Sequence, residues 1–154
     1  MLDIKPLSAA LGAEIHGLDL SRELKREDFL RIRKLLNEYQ VIFFRDQDIS
    51  HARQKALALS FGPLQTHPAY DTVEGFPEIT ILESTSAKPT KIEAWHADMT
   101  FREHPPMGTV LKSVITPPRG GDTLWSSMTA AYEGLSFHMQ KFLDGLTAVH
   151  DFAH

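Results

Sequence analysis

His96 and Asp98 stand two residues apart in Trp95-His96-Ala97-Asp98-Met99-Thr100-Phe101, an imidazole and a carboxylate set among apolar and aromatic neighbours. Side chains alternate between faces of an extended strand, so this spacing predicts that both point the same way, close enough to share one ion. On a helix, residues two apart diverge. With a second histidine supplied from elsewhere, such a pair is the facial arrangement that holds non-haem Fe(II) and leaves positions open for oxygen and a co-substrate. The triplet alone also fits a structural hydrogen-bonded pair, or the zinc centre of a metal-dependent hydrolase.

The elements that must position this pair can be read from periodicity. Phe29, Ile32, Leu35, Leu36 and Tyr39 form an apolar stripe at helical spacing and predict a helix over Lys25–Tyr39. Ser50 reads as the N-cap of a second helix ending at Gly62-Pro63, and Met128–Leu135 and Phe137–Leu143 as two short helices. One or two short strands are expected within Ile4–Leu20, and a buried strand at Val41-Ile42-Phe43-Phe44. Further strands are expected at Ile79–Leu82, Thr109–Ile115 and Asp122–Trp125, the last two separated by the turn Pro117-Pro118-Arg119-Gly120-Gly121. Pro63–Phe76 and Ser84–Lys91 read as loops. The class is α+β, mainly β. A closed or sandwiched β architecture needs about eight strands, more than can be counted here, so residues 1–154 are expected to form part of a larger folding unit.

Composition narrows the function classes. The 154 residues are 42% hydrophobic and 23% charged, in the range of one globular domain, and the formal net charge of −4 gives no electrostatic footprint for nucleic acid or an anionic membrane. The densest basic group, Arg31, Arg33 and Lys34, is the wet face of the first predicted helix. Without cysteine there is neither a disulfide framework nor a thiolate metal site. The N-terminus lacks the basic start and apolar run of a secretory signal, and no stretch reaches transmembrane length. A cytoplasmic protein with no nucleic-acid or membrane partner is the expectation.

Several motifs in register, Gly12-Ala13-Glu14-Ile15, Val41 to Gln47, Phe61-Gly62, Trp95 to Phe101, Pro105-Pro106, Gly120 to Trp125, Ala131-Tyr132-Glu133 and His150-Asp151-Phe152, resemble the taurine dioxygenase (TauD/TfdA) family along the whole chain. The resemblance implies a double-stranded β-helix (jelly roll) with flanking helices, of which residues 1–154 are the N-terminal part. It also implies an Fe(II)- and 2-oxoglutarate-dependent oxygenase using O2, acting on a small organosulfur substrate, and a homo-oligomer. Carried over position by position, His96 and Asp98 are iron ligands and Thr123 binds a 2-oxoglutarate carboxylate. His67 and Tyr70 contact a sulfonate, and Met99 and Phe101 flank the pocket. The second iron histidine and the arginines for 2-oxoglutarate and sulfonate belong to the half of the family pattern outside this sequence; His138, His150 and His154 come too early to replace that histidine.

Ile92 stands where taurine-specific members carry an asparagine near the substrate's amino end. An aliphatic side chain offers that ammonium no hydrogen bond, which predicts a preference for alkyl sulfonates or alkyl sulfates. Hydroxylation beside the heteroatom of such a substrate gives an unstable product that collapses to an aldehyde plus sulfite or sulfate, and no side chain is required as general base. The alternative expectation is a catalytically incomplete fragment or truncated product of such an enzyme. His16, His51, His104 and His138 read as structural, and Trp95 and Trp125 as core or pocket wall.

Overall fold

Of the apolar stripe of the first predicted helix, Ile32 and Leu35 are buried and Phe29, Leu36 and Tyr39 half-buried. The computed structural model describes residues 2–90, 92 and 94–152. In it, α1 spans Arg26–Tyr39 and turns Ile32 and Leu35 inward. Glu27 and Asp28 in its first turn complement the helix dipole. The helix stops at Gln40, whose backbone enters the left-handed region (φ 64°) while its N–H bonds back to the Leu36 carbonyl.

Two short strands precede the helix, β1 (Asp3–Pro6) and β2 (Ala13–His16), and β3 (Ile42–Phe43) follows it. β1 and β2 run antiparallel with Ile4 opposite Ile15, and β2 pairs parallel with β3 through Ala13–Ile42 and Glu14–Phe43. Gly12 makes the entry to β2 possible. Its φ of 91° suits glycine, and its carbonyl and N–H are taken by Leu7 N–H and the Tyr39 carbonyl at 2.9 and 2.8 Å. Ala13, Ile15 and Leu35 form the core of this layer, with Leu2, Leu18, Tyr39, Ile42 and Phe44 packed around them. Gln47 ties the layer's edge, accepting from Leu20 N–H and donating to the carbonyls of Leu18 and Arg45.

The chain divides into two compact units, one of residues 1–49 with 112–147 and one of 50–111 with 148–154. In the second, α2 (His51–Leu59) starts at Ser50, whose hydroxyl accepts from Arg53 N–H. It packs on a bulged antiparallel hairpin of β4 (Thr72–Val73) and β5 (Phe76–Thr80). Lys55 of α2 pairs with Glu78 of β5, and the His51 ring meets the edge of Phe76 at 5.6 Å. The side chain of buried Gln54 donates to the Val110 carbonyl. In the first unit, α3 (Met128–Glu133) and α4 (Phe137–Leu143) are joined by Tyr132, whose hydroxyl donates to Asp144 at 2.7 Å.

Several expectations are corrected. Thr109–Ile115 and Asp122–Trp125 form no strand: their apolar, β-branched pattern is present, but no neighbouring strand completes a ladder. The strand expected over Val41–Phe44 is only two residues long and half-buried, because β2 offers it just two partners. Pro63–Phe76 is not wholly loop, since Gly75 (φ 77°) turns β4 into β5. That turn also starts the strand expected at Ile79–Leu82 three residues earlier, at Phe76. α2 ends at Leu59 rather than at Gly62-Pro63. Trp95 and Trp125, expected as core or pocket wall, are both exposed, although Trp125 sits edge-on to Phe43 at 5.3 Å. Lys91, at the end of the 84–91 loop, and His154 lie outside the described residues.

Candidate metal and substrate site

His96 and Asp98 face each other, although the backbone that achieves this is a turn. The chain has no regular structure at His96 and Ala97, then turns over Asp98–Phe101, closed by Arg102 N–H bonding to the Met99 carbonyl. Met99 adopts φ 57°. A non-glycine residue in that region costs about 1–3 kcal/mol and is held only by surrounding contacts. The turn leaves His96 Nε2 3.2 Å from Asp98 Oδ1, with both side chains more than half exposed.

The hydrogen bonds around the pair decide which atoms are offered to a ligand. His96 Nδ1 lies 2.9 Å from the Ala94 carbonyl, which can only accept, so Nδ1 carries the proton. In the neutral ring, Nε2 is then a bare lone pair against a carboxylate oxygen. That juxtaposition is relieved by a proton or by a metal cation. A metal-bound histidine characteristically gives its other N–H to a carbonyl in this way. Thr109 Oγ1 donates to the remaining oxygen, Asp98 Oδ2, at 3.4 Å. One imidazole nitrogen and one carboxylate oxygen fit a borderline divalent ion such as Fe(II). Among the described residues, no third histidine, cysteine, aspartate or glutamate joins them.

Beside the pair, an aromatic cluster gathers the predicted substrate residues. The rings of His67 and Tyr70 lie 4.5 Å apart, and Phe152 meets His67 at 5.5 Å and Phe101 at 4.8 Å. Ala69 N–H donates to His67 Nδ1, so in the neutral ring the proton sits on Nε2, a donor available to an anionic oxygen. The loop carrying His67 is strapped to the Asp98 turn by two bonds of 2.9 Å, from the Arg102 guanidinium to the Thr66 carbonyl and from the Gln65 amide to the His104 carbonyl.

The other predicted residues are less engaged. Met99 is half-buried in the turn, and Ile92 is exposed on the segment leading into His96. Thr123 is exposed and outside any strand, in the compact unit that does not contain the pair. Among the histidines read as structural, His16 pairs with Glu14 at 3.0 Å and His51 packs on Phe76. Sequence reasoning missed Gln65, Thr100, Arg102, His150 and Phe152 as parts of the site. Their types were unremarkable; the available signals were the motifs Trp95 to Phe101, which contains Thr100, and His150-Asp151-Phe152.

Comparison with known proteins identifies the family of the chain as a whole. The family model described as taurine catabolism dioxygenase TauD, TfdA family matches residues 3–154. The chain is 35% identical over 150 residues to an alpha-ketoglutarate-dependent sulfate ester dioxygenase of Pseudomonas putida, covering 97% of this chain and 49% of that protein. It is equally similar to an alkylsulfatase of Acinetobacter baylyi, covering 97% of this chain and 47% of the relative. A crystal structure of a taurine dioxygenase from Burkholderia xenovorans superposes with a TM-score of 0.81 at 40% identity, over 94% of this chain and 51% of that one. The chain thus spans about half the length of the curated relatives it matches.

Proposed function

The chain belongs to the TauD/TfdA dioxygenase family, and from that premise we propose that it is the N-terminal part of a single Fe(II)- and 2-oxoglutarate-dependent dioxygenase domain acting on a small sulfonate or sulfate ester. The observation that carries this reading is the apposition of His96 Nε2 and Asp98 Oδ1 at 3.2 Å, with the imidazole's other nitrogen committed to Ala94. These two atoms would hold iron together with a third donor from outside residues 1–154. Thr123 would bind a carboxylate of 2-oxoglutarate. The iron centre, when bound, supplies the oxidising chemistry; the protein's share is to hold and orient.

His67 and Tyr70 would take the sulfonate or sulfate oxygens through the imidazole Nε2–H and the phenol, while Phe101 and Met99 wall the carbon chain. Ile92, with no hydrogen-bonding group, favours alkyl sulfonates or sulfates over taurine, in keeping with the sulfate-ester and alkylsulfatase relatives. Hydroxylation next to sulfur or the ester oxygen releases sulfite or sulfate and an aldehyde, a route to sulfur acquisition. In this reading Thr109–Ile115 and Asp122–Trp125 are strands of a jelly roll completed from outside these residues. The exposed Ile115, Leu124 and Phe137 are then surface that the completed fold, a cytoplasmic homo-oligomer, covers.

The test is turnover by the iron-loaded protein with hexylsulfonate, hexyl sulfate and taurine. Succinate released together with sulfite or sulfate, fastest from an alkyl substrate, supports the reading. A clear taurine preference refutes the role given to Ile92, and ester cleavage without 2-oxoglutarate consumption refutes the oxygenase class. A second reading, a catalytically incomplete piece, draws on the two-donor site. Iron and 2-oxoglutarate titration of the 154-residue chain separates the two, since tight binding of both excludes the second.

A further inference from the structure

We infer that His150 is a positioning residue for the metal pair, acting through Thr100 on the peptide between the two ligands. This rests on the reading of His96 and Asp98 as iron ligands. His150 Nδ1 lies 2.8 Å from Thr100 Oγ1, and Thr100 Oγ1 lies 3.4 Å from the Ala97 carbonyl. A hydroxyl has one proton to give, and a carbonyl can only accept. The proton therefore goes to Ala97, and the Thr100 oxygen accepts from His150 Nδ1–H. Ala97 separates His96 from Asp98, so its carbonyl fixes the plane of the peptide on which the pair turns. A hydrogen-bonded line thus runs from residue 150 to the centre of the ligand pair.

A second contact from the same segment reinforces the first. Phe152 packs on Phe101, at the end of the turn, and on His67 in the neighbouring loop, and it remains 48% exposed. The 150–152 segment therefore holds the Asp98 turn through one hydrogen bond and one ring contact. The turn needs such a hold, because Met99 sits in a backbone region that disfavours its side chain. His150 does not touch the metal atoms: its ring nitrogen is spent on Thr100, and the geometry gives it the part of an outer partner, whose loss characteristically lowers metal affinity about 10–100-fold.

The test uses Co(II) in place of Fe(II) and compares H150A, H150N, T100V, T100S and the H150A/T100V double variant in the full chain. Asparagine keeps a donor where Nδ1 stands, and serine keeps the relaying hydroxyl. Expected is a loss of Co(II) affinity of about tenfold in H150A and T100V, within the range for outer partners. H150N and T100S should restore it, and the double variant should be no worse than either single one. A merely structural role lowers the melting temperature but is not rescued in this pattern. The metal-free protein supplies a second readout: H150A should shift the Ala97 carbonyl carbon resonance and H150N should return it. Unsubstituted protein that carries the third donor and binds no Co(II) refutes the metal reading. Unsubstituted protein that binds, with H150A binding equally well and the Ala97 resonance unmoved, refutes the role of His150.

Discussion

Residues 2–49 and residues 112–147 belong to the same compact unit, yet they are packed in opposite ways. The first stretch closes a three-stranded sheet against α1 and buries Ala13, Ile15, Ile32 and Leu35. The second contributes no buried apolar side chain among the described residues; its buried position is Ser127, the N-cap of α3. It is attached by a few discrete contacts, such as Trp125 on Phe43 and the Lys112 ammonium donating to the Ile49 carbonyl. Helix α1 carries within one segment both its hydrogen bonds and its apolar face. A strand pattern carries only half of what it needs, because each ladder bond requires a neighbour. Where the neighbour is present, as for β2 between β1 and β3, the pattern becomes a sheet. At Thr109–Ile115 it forms no regular structure.

That contrast can be broken most forcefully in the core. Ile32→Ala removes a side chain that is 2% exposed and should cost about 2–5 kcal/mol, whereas Ile115→Ala, at 87% exposed, should stay within about 0.5 kcal/mol. Urea melts of the two variants measure this, and equal losses would show that 112–147 is packed as tightly as the first layer. Next in size, Gly12→Ala forces a side chain into φ 91° at the entrance to β2 and should cost about 1–3 kcal/mol. The neighbouring Leu7 and Phe43 atoms at 3.7 and 3.8 Å leave room for the methyl group, so the loss is conformational.

pH separates two further contacts. The hydrogen bond from Lys55, followed by one from the backbone, holds the Glu78 carboxyl below its ordinary value. A lowered folded-state value contributes stability above the unfolded carboxylate's pKa, and this is lost as pH falls through the lowered value. Lys55→Gln should therefore flatten the acid limb of the stability curve. Tyr132 shows the reverse: its hydrogen bond to Asp144, then burial, raises its pKa, so its contribution is complete at neutral pH and is lost as pH rises through the raised value. Tyr132→Phe should remove that alkaline loss and lower stability slightly at neutral pH. Melts across the pH range check both signs. The smallest effect is expected at the turn. Met99→Gly relieves the positive φ but frees the unfolded chain, so stability should change by about 1 kcal/mol or less, while the turn becomes looser in amide hydrogen exchange.

The helices were legible in the sequence because their signals are local. The stripe Phe29–Tyr39 and the cap Ser50 lie inside or beside the elements they specify. Strand positions were legible only in part: the Pro117–Gly121 turn signal implied two strands that lack ladder partners, whereas Gly75 sets the start of β5 without any mark in the apolar pattern. Within the site, the spacing of His96 and Asp98 correctly implied side chains that meet, but for a different backbone reason: an Asp98–Phe101 turn takes the place of a continuous strand. His67, Tyr70 and Phe101 came from the family resemblance, and the structure gathers their rings with Phe152. What could not be read was the support. Arg102 to Thr66, Gln65 to His104 and His150 to Thr100 each join residues 36 or more positions apart, and side chains of ordinary type carry no mark of such distant partners.

The central claim is that the imidazole of His96 and the carboxylate of Asp98 together bind ferrous iron. Anaerobic Fe(II) titration followed by NMR tests it directly, because the paramagnetic ion broadens the nuclei nearest to it. The account predicts that the His96 and Asp98 side-chain resonances broaden first, at substoichiometric iron, and that H96A or D98A abolishes the effect. Broadening centred elsewhere, such as at the His16–Glu14 pair, or none at the 96–98 segment, would contradict it.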